Sequence, residues 1–247
     1  MKKKILSLAL VVALIAIMVG GSLAYFTDND QVTNTFTIGS VKIEIYENGE
    51  ATDKDTIEFK DPLIPVVKEE PSEDINYIPK VVKVKNTGNN NAYVRTHIAV
   101  PKALVGQTGE EPILGLDLHV NPTEWSQVAT SEFTTEDGIV YRVYTFDYQK
   151  IVTPDSETPA VLSGVYLPSY VDLEEDANGD LYFVVRNKSG KVVANSGYMA
   201  HGKNVDGTYT CKGINVLVAS QAIQADGFSD AATALNSGFS GHPWAAK

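Results

Sequence analysis

The residue types that most often carry chemistry are sparse here. His97, His119, His201 and His242 stand far apart, with no pair at helical i, i+4 spacing. A zinc site usually shows itself as closely spaced His or Cys ligands, because three or four donors must converge on one ion. No such spacing occurs. The lone cysteine, Cys211, follows His201 by ten residues, and no local thiol-protease signature surrounds it. A His-Glu-x-x-His helix, a Gly-x-Ser-x-Gly elbow, a phosphate loop and a dinucleotide fingerprint are all absent from the sequence. "DANGD", Asp176–Asp180, resembles the start of a calcium loop. Such a loop needs glycine at its sixth position and glutamate at its twelfth, where this chain has Leu181 and Asn187. Asn178-Gly179 reads instead as a tight hairpin turn. The sequence therefore points to no catalytic residue, no metal ligand and no cofactor. Trp125 and Trp244 remain as candidate exposed aromatics for a partner.

The elements that would position any site read as strands. "SVKIEIYENGE" alternates, with Val41, Ile43 and Ile45 on one face and Lys42, Glu44 and Tyr46 on the other, before the turn signal Asn48-Gly49. "PKVVKVKNTGNNNAYVRTHIAVP" gives two strands around a Gly/Asn-rich turn. Val82, Val84, Val94, Ile98 and Val100 form a dry face; Lys83, Lys85, Arg95 and His97 form a wet one. Further strands are expected in "GIVYRVYTFDYQ", "GVYLPSYVDL", "DLYFVVRNKSGKVVANSG" and "GINVLVASQAIQ", with turns at Asn178-Gly179 and Ser189-Gly190. "DGFSDAATALNSG" switches to a short helix, with Ser229 as N-cap and Gly238 at its end. Asp53 to Ile78, acidic and carrying Pro62, Pro65 and Pro71, reads as an exposed loop. Leu104 to Phe133 is expected to hold short helices. About nine strands with no βαβ alternation predict an all-β, antiparallel two-sheet sandwich with short helical insertions and a short C-terminal helix.

Charge narrows the function classes. The chain carries 20 basic and 31 acidic side chains, and three of the lysines fall in the first 24 residues. The remainder holds 17 basic and 31 acidic groups, a net charge of −14, which repels nucleic acid and anionic lipid. One cysteine excludes an internal disulfide, so packing alone must hold the fold; the residue reads as a small side chain in or near a strand. "MKKKILSLALVVALIAIMVGGSLA" has the three parts of a secretory signal: Lys2–Lys4, an apolar run from Ile5 to Val19, and small residues. A run of fifteen residues, broken only by Ser7, is short for a membrane span. Ser22 and Ala24 occupy the positions where a signal peptidase requires small side chains, so cleavage after Ala24 would free Tyr25. Contact with the membrane would then be transient. The expected organisation is a signal peptide over 1–24, an N-terminal segment over 25–40 and a β-sandwich over 41–247.

Several stretches together resemble the TasA/camelysin-type secreted proteins of Gram-positive bacteria. They are "AYFTD" (Ala24–Asp28), "NTFTIG" (Asn34–Gly39), "VKIEI" (Val41–Ile45), "VKVKNTGNNNAYVR" (Val82–Arg95), "IVTPDSETPAVLSGVYLP" (Ile151–Pro168) and "AIQADGF" (Ala222–Phe228). The resemblance implies a jelly-roll-like sandwich, exported through a SipW-type signal peptidase to the extracellular matrix or cell surface. It also implies a biofilm fibre subunit, whose partners are further copies of itself or related matrix subunits; the lack of any catalytic or metal motif in the sequence points to a non-enzymatic role. In that reading Tyr25–Ile38 is a donor strand added to a neighbouring subunit, with Phe26, Phe36 and Ile38 as anchors. Two alternatives stay open: a camelysin-like metalloendopeptidase, for which the sequence shows no ligand spacing, and a monomeric cell-surface binding module.

Overall fold

The computed structural model describes residues 27–29, 41–47, 50–51, 77–105 and 112–244. These form fourteen strands: β1 (Thr27–Asn29), β2 (Ile43–Glu47), β3 (Glu50–Ala51), β4 (Tyr77–Asn86), β5 (Ala92–Pro101), β6 (Gly115–Leu118), β7 (Trp125–Thr134), β8 (Val140–Tyr148), β9 (Leu162–Tyr166), β10 (Val171–Glu175), β11 (Leu181–Arg186), β12 (Val192–Lys203), β13 (Tyr209–Cys211) and β14 (Leu217–Gln224). One helix follows, α1 (Ala231–Gly238). The class is all-β, and every ladder is antiparallel. The strands form three sheets where the sequence suggested two. Sheet I runs β1-β14-β5-β8-β7, sheet II β3-β2-β4-β9-β6 and sheet III β10-β11-β12-β13. All three feed one core: Val94, Ile98 and Phe146 from sheet I, Ile43, Val84 and Val165 from sheet II, Val171, Phe183 and Ala200 from sheet III.

The alternation in β2 and β4 falls as the sequence predicts. Val41, Ile43, Ile45, Val82 and Val84 are buried, while Lys83 and Lys85 sit at the surface. β4 and β5 do not pair with each other; they belong to opposite sheets. The Gly/Asn-rich segment between them is a corner that carries the chain across the core. Asn86, fully buried, holds that corner. Its amide NH2 donates to the carbonyls of Asn90 (2.8 Å) and Val152 (2.9 Å), and its side-chain oxygen accepts from Gly88 N–H (3.0 Å). Its own backbone bonds Ser156 and Asp155. Buried amides of this kind persist only when their donors and acceptors are matched.

The segment 149–161 returns the chain from sheet I to sheet II along this corner. Val152 bridges Ala92, and Glu157 bridges Lys85. Thr158 exchanges backbone and hydroxyl bonds with Val84. Trp125, expected at the surface, is instead fully buried: its indole N–H donates to Pro159 O (3.0 Å) and its ring leans on Tyr148. The stretch Leu104–Phe133, expected to hold short helices, contributes β6 and β7; a single 3-10 turn at Lys102–Leu104 precedes them. β7 escaped recognition because, as an edge strand, it carries mostly exposed Ser, Gln, Thr and Glu rather than alternating apolar residues.

The hairpin turns were legible. Gly179 and Gly190 take φ of +88° and +78° between β10, β11 and β12, a conformation open mainly to glycine. The Asp176 carboxylate accepts from the backbone of Asn178 and Asp180 and so closes the turn; the "DANGD" stretch is a hairpin. The helix cap falls one residue later than expected. Asp230, not Ser229, is extended at the N-cap and accepts from Thr233 N–H at 2.7 Å. Asn48-Gly49 and residues 52–76, including the Pro-containing stretch, lie outside the described residues.

Asn86→Ala would strip two carbonyls and one N–H of their buried partner. A loss of about 3 kcal/mol in unfolding free energy is expected, read as a lower urea midpoint with unchanged slope.

Candidate functional site

Two places in the fold are candidate sites: the β14 edge of sheet I and the outer face of the same sheet. The cleavage residues Ser22, Ala24 and Tyr25 and the anchors Phe26, Phe36 and Ile38 lie outside the described residues. The part of the amino-terminal segment that is described, β1, lies antiparallel on β14. Thr27 pairs with Ile223, Asp28 with Ala222 and Asn29 with Gln221. β14 itself spans eight residues and pairs along its whole other side with β5. Among the described residues, β1 matches only three of the eight. At the far side of sheet I, β7 is the other edge. Its ladder with β8 is broken by a register shift between Gln127 and Ala129. Glu132 on β7 is bound by Lys102 (2.7 Å) and Arg142 (3.4 Å), and the Lys102 hydrogen bond holds its carboxyl below the usual range. Bulges and edge charges of this kind discourage strand addition.

The outer face of sheet I departs from the sequence reading. Arg95 and His97, expected on a wet face, are buried. Every residue of β5 is buried, since both of its faces are covered. On the outside, α1 and the residues after it lie across β5, β14 and β8. Ala231, Ala234, Leu235 and Phe239 pack on Tyr93 and Ile223; farther along, Trp244 joins Ala99, Tyr141, Val143 and Phe133.

A polar row lies beneath this cover. Arg95 grips Asp147, directly opposite on β8, by two bonds of 2.6 and 2.9 Å, and reaches Asn236 of α1 at 2.8 Å. One step along, His97 meets Gln221 Oε1 through Nε2 (2.9 Å) and Thr145 Oγ1 through Nδ1 (3.0 Å). With an amide oxygen facing Nε2, that nitrogen carries the proton and Nδ1 accepts from the Thr145 hydroxyl. Burial pushes His97 down to about 4 from the ordinary 6.5; the neighbouring Arg95 and His242 act in the same sense, against the Gln221 bond. His242 is also lowered by burial. Its Nδ1 is buried with no hydrogen-bond partner among the described residues. The rings of His97, His242, Trp244 and Phe133 lie within 5.4–6.5 Å of one another in the contacts they make.

Histidines far apart in sequence are thus brought together, since β5 and the C-terminal segment share one face. The signal that could have found this is the polar run Arg95-Thr96-His97 in the middle of a strand that is apolar or aromatic on either side of it. The arrangement suits a closed structural seam: Arg95, Asp147 and His97 are each bonded to another protein group, and His242 Nδ1 is the exception among the described residues. Among the described residues no group of three His, Cys, Asp or Glu side chains is placed to hold a metal ion. His201 and Cys211 fall opposite each other in the β12–β13 ladder, so Cys211 lies in a strand. His119 bonds Ser163 at the surface. Comparison with family models, with curated proteins and with solved structures finds no match.

Arg95→Met would leave the Asp147 carboxylate buried without its counter-charge and should cost about 3–5 kcal/mol; the Arg95→Met/Asp147→Leu pair should recover most of it, both read by urea unfolding. The pH dependence has a defined sign. His97 binds a proton more weakly folded than unfolded, so its contribution is complete above pH 6.5 and is lost as pH falls from 6.5 through 4. The loss totals on the order of 3 kcal/mol, and His97→Gln should flatten that limb of the stability curve.

Proposed function

We propose that this chain is an exported structural protein, a subunit of extracellular fibres that grows by adding its amino-terminal segment as a strand to a neighbouring copy. The observation that carries the reading is the position of β1. The described part of the amino-terminal segment, Thr27–Asn29, lies on the β14 edge of sheet I through three residue pairs. An edge contact made by main-chain groups can be exchanged for the same contact on another molecule. Main-chain hydrogen bonds supply such binding irrespective of side chain, which is how open sheet edges accept foreign strands. Donation of the segment from each copy to the next in one direction is a head-to-tail, heterologous contact, which extends into a filament when its rotation does not close.

The charge of the body supports the same reading. A net charge of −14 beyond residue 24 keeps free subunits apart until a specific contact overcomes the repulsion. The resemblance of "AYFTD" and "NTFTIG" to the TasA/camelysin pattern supports export through a SipW-type peptidase and release after Ala24. The acceptor is then β14, and the blunt β7 edge takes no part.

The test compares a chain starting at Tyr25 with one starting at Ser40. By negative-stain microscopy the first should form filaments and the second should not, while synthetic 25–40 peptide should bind the second. Filaments from both, or a strictly monomeric Tyr25 chain at millimolar concentration and across salt, would remove the proposal.

A further inference from the structure

The C-terminal segment covers sheet I in an unusual way. It does not add to a ladder; it lies across the sheet from outside, and beneath it sits a row of polar groups rather than a purely apolar floor. The charged and titratable groups of that row come from each element in contact. β5 supplies Arg95 and His97, β8 supplies Asp147 and Tyr141, and the covering segment supplies His242; β14 contributes the neutral Gln221 and α1 the neutral Asn236. Arg95 and Asp147 cancel. Both histidines are neutral partners in a closed space, with ring centroids 6.5 Å apart. If both take protons, three cations face one carboxylate under the cover. His97 would lose its acceptor nitrogen toward Thr145, and His242 would hold a charge where its Nδ1 has no partner among the described residues.

We propose that residues Ala231–Trp244 form an acid-released strap: closed over the outer face of sheet I while His97 and His242 are neutral, and lifted when they are protonated. Opening relieves the charge because it readmits water to both rings. The direction agrees with the burial that disfavours a proton on each histidine. The elements beneath remain paired, since the ladders of β5 with β8 and β14 are made by backbone groups and by the opposite, apolar face. Lifting the strap uncovers Tyr93, Ile223 and Ala225, so the outer face of β14 changes from covered to open while its strand pairing persists. The inference is independent of the fibre reading.

Hydrogen exchange followed by mass spectrometry, corrected for the intrinsic rate, tests this between pH 7.5 and 4.5. Amides of 231–239 should lose protection by about tenfold per pH unit for each histidine that titrates, while amides of β5 and β8 stay protected. Trp244 emission should change over the same range. The His97→Gln/His242→Phe variant should keep the strap closed to pH 4.5. His242→Phe alone, at the partly exposed end of the segment, should move the onset to lower pH even if the double variant folds poorly. Protection at 231–239 that is flat with pH would overturn the proposal. So would loss only in step with β5, or an onset unchanged by His242→Phe.

Discussion

The central constraint is that β5 is covered on both faces. A strand in the middle of a sheet with apolar residues on one side normally leaves the other to water. Here Val94, Ile98 and Val100 face the shared core, and the opposite side chains lie under α1 and the residues that follow. Any polar group on that opposite side must find its partner within the protein, because an unmet buried charge costs more than a buried pair returns. Arg95 is therefore tied to Asp147 and Asn236, and His97 to Gln221 and Thr145. These bonds in turn fix which residues of β8, β14 and α1 face each other, so the covering helix is held by specificity as well as by grease.

The same logic governs the corner at Asn86. Crossing from one sheet to another leaves backbone groups without a ladder. A buried side-chain amide substitutes for it, bonding three main-chain groups at once. The segment 149–161 then runs beside β4 as a partial strand, with Thr158 completing the pattern. Sheets I and II are joined through this polar hinge and not only by the core between them.

Much of this architecture was written in local pattern. The alternation of Val41, Ile43 and Ile45, the turn glycines Gly179 and Gly190, and the switch to helix near Ala231 are properties of a few adjacent residues, and they fall where the pattern puts them. What pattern could not show was cover from a distant part of the chain. Arg95 and His97 look solvent-facing until the residues about 140 positions later are laid over them. β7 was hidden for the opposite reason: an exposed edge strand has no apolar rhythm to announce it. The pairing of His97 with His242 is likewise invisible in spacing, because nothing local connects a central strand to the end of the described chain.

Sheet I also has unlike ends. On one side the eight-residue β14 edge carries, among the described residues, the three of β1; on the other the β7 ladder is broken by its register shift and guarded by the Glu132 ion pairs. A part with one receiving side and one refusing side has polarity built into it. Any row assembled through such sides has a front and a back that can be told apart, and its two tips must differ in chemistry: one with a vacant edge, the other with an unspent strand.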